Sequence, residues 1–164
     1  MLAIIIGVVA SSASKDNGTK VSNSDNTNSS SQEKTDFKIG DTIAFDDKKV
    51  IVLSAERNWD SGNEYIKPAS GKEYVKVEVS IENNSSNEVS YNTFDWKIQD
   101  SNGNITSADS STYATDGLLG SGDLAAGSKV SGFIVFEVPA DDTGLTLRYE
   151  PSFWSDKKLE IKLQ

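Results

Sequence analysis

The stretch that decides the fold is EYVKVEVSIEN, at residues 73–83. Its apolar residues Val75, Val77, Val79 and Ile81 alternate with polar residues. A period of two is typical of a strand with one buried face and one solvent-facing face. Burial of these four side chains would contribute roughly 6–12 kcal/mol as an upper bound, at about 1.5–3 kcal/mol each. No other stretch alternates so cleanly for so long, so we expect this strand at the centre of a sheet.

Shorter stretches with a similar pattern predict the other strands, and clusters of Gly, Asn, Asp or Pro separate them. They lie at residues 39–45, 50–55, 89–100, 105–113, 129–139, 145–149 and 159–163, with a loop at 57–72 and a glycine-rich connection at 114–127. No segment shows sustained helical periodicity. The chain is therefore predicted to be all-β, with seven to eight strands in an antiparallel sandwich or barrel.

Two local signals refine this prediction. Within residues 89–100 the apolar positions change phase, which predicts a bulge or bend near Asn92 and Thr93. The pair Asn102-Gly103 follows, and Asn-Gly readily adopts the positive φ of a type I′ hairpin. The sequence thus predicts a bent strand that leads into a tight hairpin.

The first 36 residues differ in composition from the remainder. Residues 1–10 are an apolar run, too short for a hydrocarbon core that needs about 20 residues, but suited to a signal peptide. With small residues at Ser11 and Ala13 and no basic residue before the run, we expect residues 1–13 to be a partial signal peptide or the remnant of a membrane anchor. Residues 14–36 are polar and are predicted to be a disordered linker, which leaves 37–164 as the folded domain.

The composition argues against several classes of function. The chain has no cysteine and no histidine, so it can form neither a disulfide nor a Ser-His-Asp triad nor a zinc site of the usual Cys/His kind. Its net charge is −9, and no basic stripe offsets it. Nucleic acid is therefore not expected as a partner, and membrane contact is expected only through an N-terminal anchor. No cofactor is expected.

Three segments, taken together, resemble a bacterial family. They are the run from Gly71 to Asn83, the pair FDWKI and DSNG at 94–103, and LAAG followed by GFIVFEVP at 124–139. This pattern is similar to the DUF4352 family, which is grouped with the immunoprotective extracellular antigens of mycobacteria. The resemblance covers residues 37–164. It implies an immunoglobulin-like β-sandwich of secreted or membrane-anchored proteins of Gram-positive bacteria, and it supplies no catalytic residues. The chain lacks the lipid-accepting cysteine of the lipoprotein members.

Acidic residues in the predicted turns are the candidates for metal ligands. Asp100, Asn102 and Asn104 match the start of an EF-hand loop, but Ile105 and Ser111 stand where that loop needs Gly and Glu. The pairs at 46–47 and 141–142 are Asp-Asp, from which a calcium site at one end of a sandwich could be built. A structural role in the turns is the favoured interpretation, and no metal ligand is assigned.

Carboxylates and loop aromatics are the other candidates. A glycosidase pair needs a carboxyl in an apolar pocket, and Glu137 alone lies in an apolar run. By alternation Glu137 faces away from the core, so it is predicted to be solvated. Trp59, Tyr65, Tyr113 and Trp154 fall in or beside loops, where aromatics either contact ligands or cover the open ends of the core. Covering the core is the favoured interpretation.

Three hypotheses for the function follow. The preferred one is a non-enzymatic extracellular or cell-surface binding domain, whose partner is a protein, peptide or glycan. The alternatives are a spacer or envelope-sensing domain without its own ligand, and, with less support, a small carboxylate-dependent hydrolase. No catalytic or cofactor-binding residue is assigned, because fold alone does not establish function.

Overall fold

A computed structural model describes residues 36–110, 115–151 and 157–164, together with the backbone of residues 19–20. The predicted leader, most of the predicted linker, Tyr113 and Trp154 lie outside the described residues. The strands within the described part are β1 (Thr19–Lys20), β2 (Phe37–Lys38), β3 (Thr42–Phe45), β4 (Lys48–Arg57), β5 (Lys72–Asn83), β6 (Val89–Asn92), β7 (Trp96–Gln99), β8 (Ile105–Ser107), β9 (Ser121–Leu124), β10 (Lys129–Pro139), β11 (Thr146–Tyr149) and β12 (Leu159–Lys162).

These strands form a β-sandwich, as the sequence predicted. One sheet has the order β1-β3-β4-β5-β10 and the other has the order β2-β12-β11-β7-β8. Neighbouring strands are antiparallel except β2 and β12. Strands β6 and β9 form a separate two-stranded ribbon. The β5 strand pairs with β4 on one side and with β10 on the other, so its predicted central position is confirmed.

The core lies between the two sheets. Val75, Val77, Val79 and Ile81 of β5 are fully buried, and the second sheet contributes Trp96, Ile98, Leu147, Tyr149, Leu159 and Ile161. The rings of Phe45 and Tyr149 meet edge-to-face at 5.7 Å and join the sheets. Because the apolar residues of β5 and of β10 alternate in matching phase, one face of the first sheet enters this core.

The predicted strand at 89–100 is two strands. A short 3-10 turn, Thr93–Asp95, separates β6 from β7, which confirms the bend predicted near Asn92 and Thr93. The two strands belong to different sheets. Phe94 lies on the turn and is 63% exposed, whereas Trp96, two residues later, is fully buried.

The hairpin after β7 differs from the predicted type I′ turn. The Asp100 carbonyl accepts a hydrogen bond from Gly103 N–H at 3.0 Å, and Gly103 has a φ of +87°. Asn102 is not among the residues with positive φ, whereas a type I′ turn at Asn102-Gly103 needs positive φ at both. The observed loop has three residues, because the Asp100 side chain organises the turn one residue earlier.

Two further features were not predicted. Residues 121–124, SGDL, form β9 within the predicted connection at 114–127. Their single apolar residue gives no alternation to detect. Strand β1, in the segment predicted to be a linker, pairs with β3 through Thr19–Ala44 and Lys20–Ile43. Among the described residues, no helix is long and apolar enough to span a membrane.

Candidate functional site

The loop at 58–71, which connects β4 to β5, folds over the face of the first sheet that points away from the core. Its Trp59 ring lies 6.3 Å from the ring of Tyr74 and 6.0 Å from that of Phe133. The Lys76 ammonium lies 5.1 Å from the centre of the Phe133 ring. Trp59 therefore covers the outer face of β5 and β10, and the favoured prediction that it covers the open end of the core is wrong.

Hydrogen bonds fix the loop along its length. Trp59 N–H donates to the Tyr74 carbonyl at 3.0 Å, and the Tyr74 hydroxyl donates to the Lys67 carbonyl at 3.3 Å. Ala69 N–H donates to Oε1 of Glu137 at 2.7 Å. Glu137 does face away from the core, as predicted, but it is partly buried and holds the loop on the sheet.

The tip of the loop is a compact turn that presents Tyr65. Tyr65 N–H donates to Oδ1 of Asn63 at 3.0 Å, and the Lys67 ammonium binds the Asp60 carboxylate at 2.9 Å. The hydrogen bond from Lys67, followed by one from Gly62 N–H, lowers the pKa of Asp60. The Tyr65 side chain is 87% exposed. An aromatic ring thus stands in solvent on a backbone that its neighbours hold in place.

A cleft of about 170 Å³ lies between the loop and the start of β5. Its apolar lining comes from Trp59, Ile66, Pro68 and Tyr74, and its charged lining from Asp60, Lys67, Lys72 and Glu73. Such a site could hold a small polar group beside an aromatic face. Within the cleft, the Asp60 carboxylate binds the Lys67 ammonium and the Glu73 carboxylate binds the Arg57 guanidinium.

Glu73 lies at the base of this cleft, and its side chain is only 4% exposed. The Arg57 guanidinium donates to Oε1 of Glu73 from Nε at 2.9 Å and also from Nη2. Asn58 N–H donates to Oε2 of Glu73 at 3.2 Å. Sequence reasoning did not single out Glu73, although the period of two places it in the same phase as Val75.

Arg57 also reaches the turn between β10 and β11, where Nη1 donates to the Asp142 carbonyl. The Asp142 carboxylate accepts hydrogen bonds from Gly144 N–H at 2.7 Å and from Ser101 N–H at 3.0 Å. These two donors lower the pKa of Asp142. The network ties β4 and β5 of the first sheet to the β7–β8 hairpin of the second, and so closes this end of the sandwich.

The acidic residues considered as candidate metal ligands lie in turns. Both oxygens of Asp100 accept hydrogen bonds within the hairpin, from the backbone of Asn102 and Asn104 and from the Asn104 side chain. The Asn104 side chain is the largest cause of a lowered Asp100 pKa. Asp46 pairs with Lys157 at 2.7 Å. Across the described parts of the chain, no group of three or more acidic side chains converges as a metal site.

Among the described residues, Asp95 is the carboxyl whose pKa lies above its ordinary value. Partial burial beside Trp96 raises the pKa of Asp95, and the positive charge of Lys48 opposes this effect. Asp95 does not line the cleft at Glu73.

The protein is therefore a β-sandwich domain of mainly antiparallel strands, in which the structured loop at 58–71 covers the outer face of the first sheet. Residues 37–160 match the family described as "Domain of unknown function (DUF4352)". The chain belongs to this family, and the expected resemblance is confirmed.

Solved structures share the fold. The yjhA protein from Bacillus subtilis is 23% identical with a TM-score of 0.61, over 78% of this chain and 99% of its own. A "putative lipoprotein (ycdA)" from the same species is 20% identical with a TM-score of 0.54, over 71% of this chain and 37% of its own. The secreted protein MPT63 from Mycobacterium tuberculosis is 9% identical with a TM-score of 0.50, over 73% of this chain and 83% of its own. No curated protein matches this chain.

Proposed function

We propose that this protein is a non-enzymatic binding domain outside the bacterial cell, and that the 58–71 loop is its contact surface. The observation that carries the proposal is Tyr65, which is 87% exposed on a loop fixed by Trp59, Tyr74 and Glu137. An aromatic side chain on an ordered backbone loses little conformational entropy when it binds. The loop is therefore arranged for binding before a ligand arrives.

The chemistry of the surface favours a peptide or a glycan as the ligand. Tyr65 offers a ring that can pack on an apolar side chain or a sugar face. Behind it, the cleft adds the ammonium groups of Lys67 and Lys72, which can donate hydrogen bonds. We assign no catalytic role, because Asp60 and Glu73 each bind a cation within the protein.

The location outside the cell has separate support. Two proteins with this fold are described as a "putative lipoprotein" and as a secreted protein. The apolar run at residues 1–10, followed by a polar stretch, fits an exported chain. A net charge of −9 favours solubility. Attachment to the surface of a Gram-positive cell is part of the proposal.

Binding to arrays of cell-wall glycans and peptides tests the proposed function. Wild type is compared with Tyr65→Ala, and with Ile105→Ala as a control, since Ile105 is also exposed but lies on β8. We expect at least one ligand whose affinity falls about tenfold in Tyr65→Ala and not in the control. Equal binding by all three proteins would overturn the assignment. Catalytic turnover of an array component would indicate an enzyme and overturn the proposed binding function. The absence of binding to every component would favour the hypothesis of a spacer domain.

A further inference from the structure

The cleft between the loop and β5 contains one positive charge that the protein does not neutralise. Its charged lining is Asp60, Lys67, Lys72 and Glu73. The Asp60 carboxylate binds Lys67, and the Glu73 carboxylate binds Arg57. Lys72 is exposed, and within the described part of the chain no carboxylate pairs with its ammonium. The cleft therefore has a position that attracts an anionic group.

Asn58 adds a polar side chain to the same cleft. It begins the loop with a φ of +52°, and its exposed side chain is part of the cleft lining. Its backbone N–H donates to Oε2 of Glu73 at 3.2 Å, whereas no described residue binds its side-chain amide. A carboxamide has both a donor and an acceptor, so it can bond the N–H or the carbonyl of a peptide group.

The apolar wall of the cleft favours a small aliphatic group over a sugar ring. This wall is formed by Trp59, Ile66 and Pro68. The Trp59 ring is only partly exposed, and it is tilted at 60° to the ring of Tyr74 and at 51° to that of Phe133. Because these two rings already contact Trp59, it does not present the open aromatic face on which a sugar stacks.

The volume of the cleft limits the size of the bound group. At about 170 Å³, it is close to a cavity that holds one benzene molecule, on the order of 150 Å³. A C-terminal alanine has as many non-hydrogen atoms as benzene, whereas a C-terminal tryptophan has more than twice as many. A small terminal residue therefore fits the cleft, and a large one does not.

We propose that the cleft binds the free C-terminus of a peptide that ends in a small aliphatic residue. The Lys72 ammonium pairs with the terminal carboxylate, and the Asn58 side chain bonds the last peptide group. The terminal side chain packs against Ile66 and Pro68. This inference rests on the proposed function, because it names the class of ligand for the same loop.

An array of peptides linked through their N-termini tests the ligand class. Each peptide has randomised upstream residues and a terminal alanine, and is present both as the free carboxylate and as the carboxamide. Fluorescence anisotropy then gives the affinities of labelled, soluble copies of the peptides that bind. We expect the carboxamide to bind at least about tenfold more weakly, and the same loss when tryptophan replaces the terminal alanine. Equal binding in either comparison would overturn the inference.

Protein variants locate the selective charge. Lys72→Gln should weaken the carboxylate peptide about tenfold and leave the carboxamide peptide unchanged. Lys129→Gln is the matched control, since Lys129 is also exposed but faces Glu82, about 30 Å along β5 from Lys72. Thermal unfolding checks that both variants keep their fold. Unchanged selectivity in Lys72→Gln, or an equal loss in Lys129→Gln, would contradict the inference.

The outcomes also separate this inference from the proposed function. Peptides that lose affinity in Tyr65→Ala but show no preference for a carboxylate would overturn the inference and support the proposed function. A glycan as the ligand that depends on Tyr65 would do the same. The absence of binding to every peptide and glycan would overturn both.

Discussion

The Arg57 guanidinium and the Glu73 carboxylate form an ion pair at the point where the 58–71 loop leaves β4 and enters β5. Glu73 is almost fully buried, and Arg57 extends from it to the carbonyl of Asp142. The pair therefore joins the base of the proposed binding loop to the network that closes one end of the sandwich.

Removing the Glu73 carboxylate should destabilise the fold, because the positive charge of Arg57 would lose its partner. We expect Glu73→Ala to lower the free energy of unfolding by about 2–4 kcal/mol in urea titrations. Glu56→Ala is the control, since Glu56 pairs with Lys76 at an exposed site, and it should cost less than about 1 kcal/mol. The double variant Arg57→Ala/Glu73→Ala should cost clearly less than the sum of its single variants, and simple additivity would refute the coupling.

Gly132 is the place where the first sheet meets the segment before β9. A Cβ atom on Gly132 would lie 2.6 Å from Cα of Leu119 and 2.7 Å from its nitrogen, too close for backbone atoms that cannot rotate away. We expect Gly132→Ala to destabilise the protein by about 1–3 kcal/mol, measured by urea unfolding. The neighbouring Ser131→Ala should stay within about 1 kcal/mol of wild type. An unchanged free energy of unfolding in Gly132→Ala would show that Leu119 does not pack against Gly132.

The alternation in β5 predicts which substitutions the fold tolerates. Ile81→Ala removes a fully buried side chain and should cost about 2–5 kcal/mol. Glu78→Ala, on the exposed face of the same strand, should change the free energy of unfolding by no more than about 0.5 kcal/mol. A reversed order in thermal or urea unfolding would place the opposite face of β5 in the core.

Asp100 and Asp142 should make stability depend on pH in the acid range. The ordinary pKa of each is 3.8, and hydrogen bonds lower it in the folded state. Their contribution is therefore complete above that value and is lost as the pH falls through the lower folded-state pKa. We expect the melting temperature of wild type to fall steeply below pH ~4. Asp142→Asn should melt lower at neutral pH and show a shallower fall, and an unchanged pH profile would exclude Asp142 as a contributor.

Much of the fold could be predicted because alternation reports directly on burial. The pattern at Val75 to Ile81 placed β5, and the change of phase at Asn92 located the 3-10 turn. The same period also puts Glu73 on the inner face. The sequence pattern alone therefore predicts that Glu73 is buried. It indicates a buried ion pair only once the structure shows that Arg57 lies beside Glu73.

The features that could not be predicted depend on contacts between side chains and backbone groups that the hydrophobic pattern of the sequence does not encode. Trp59 lies on the outer face because Tyr74 and Phe133 come together there from two strands, and neither strand alone indicates that a loop covers it. The Asn102-Gly103 turn shifted because the side chain of Asp100 binds the backbone amides. Side-chain competition of this kind decides between turns of similar backbone energy.

In the proposed function the 58–71 loop is ordered before it binds a ligand, and nitrogen-15 relaxation of its backbone amides measures this order. We predict order parameters of about 0.8 for Gly62 to Ala69 in the free wild type, and a fall below about 0.6 in Glu137→Ala, which removes the acceptor for Ala69 N–H. Order parameters already below about 0.6 in the wild type would overturn the proposed function, because Tyr65 would then stand on a mobile loop.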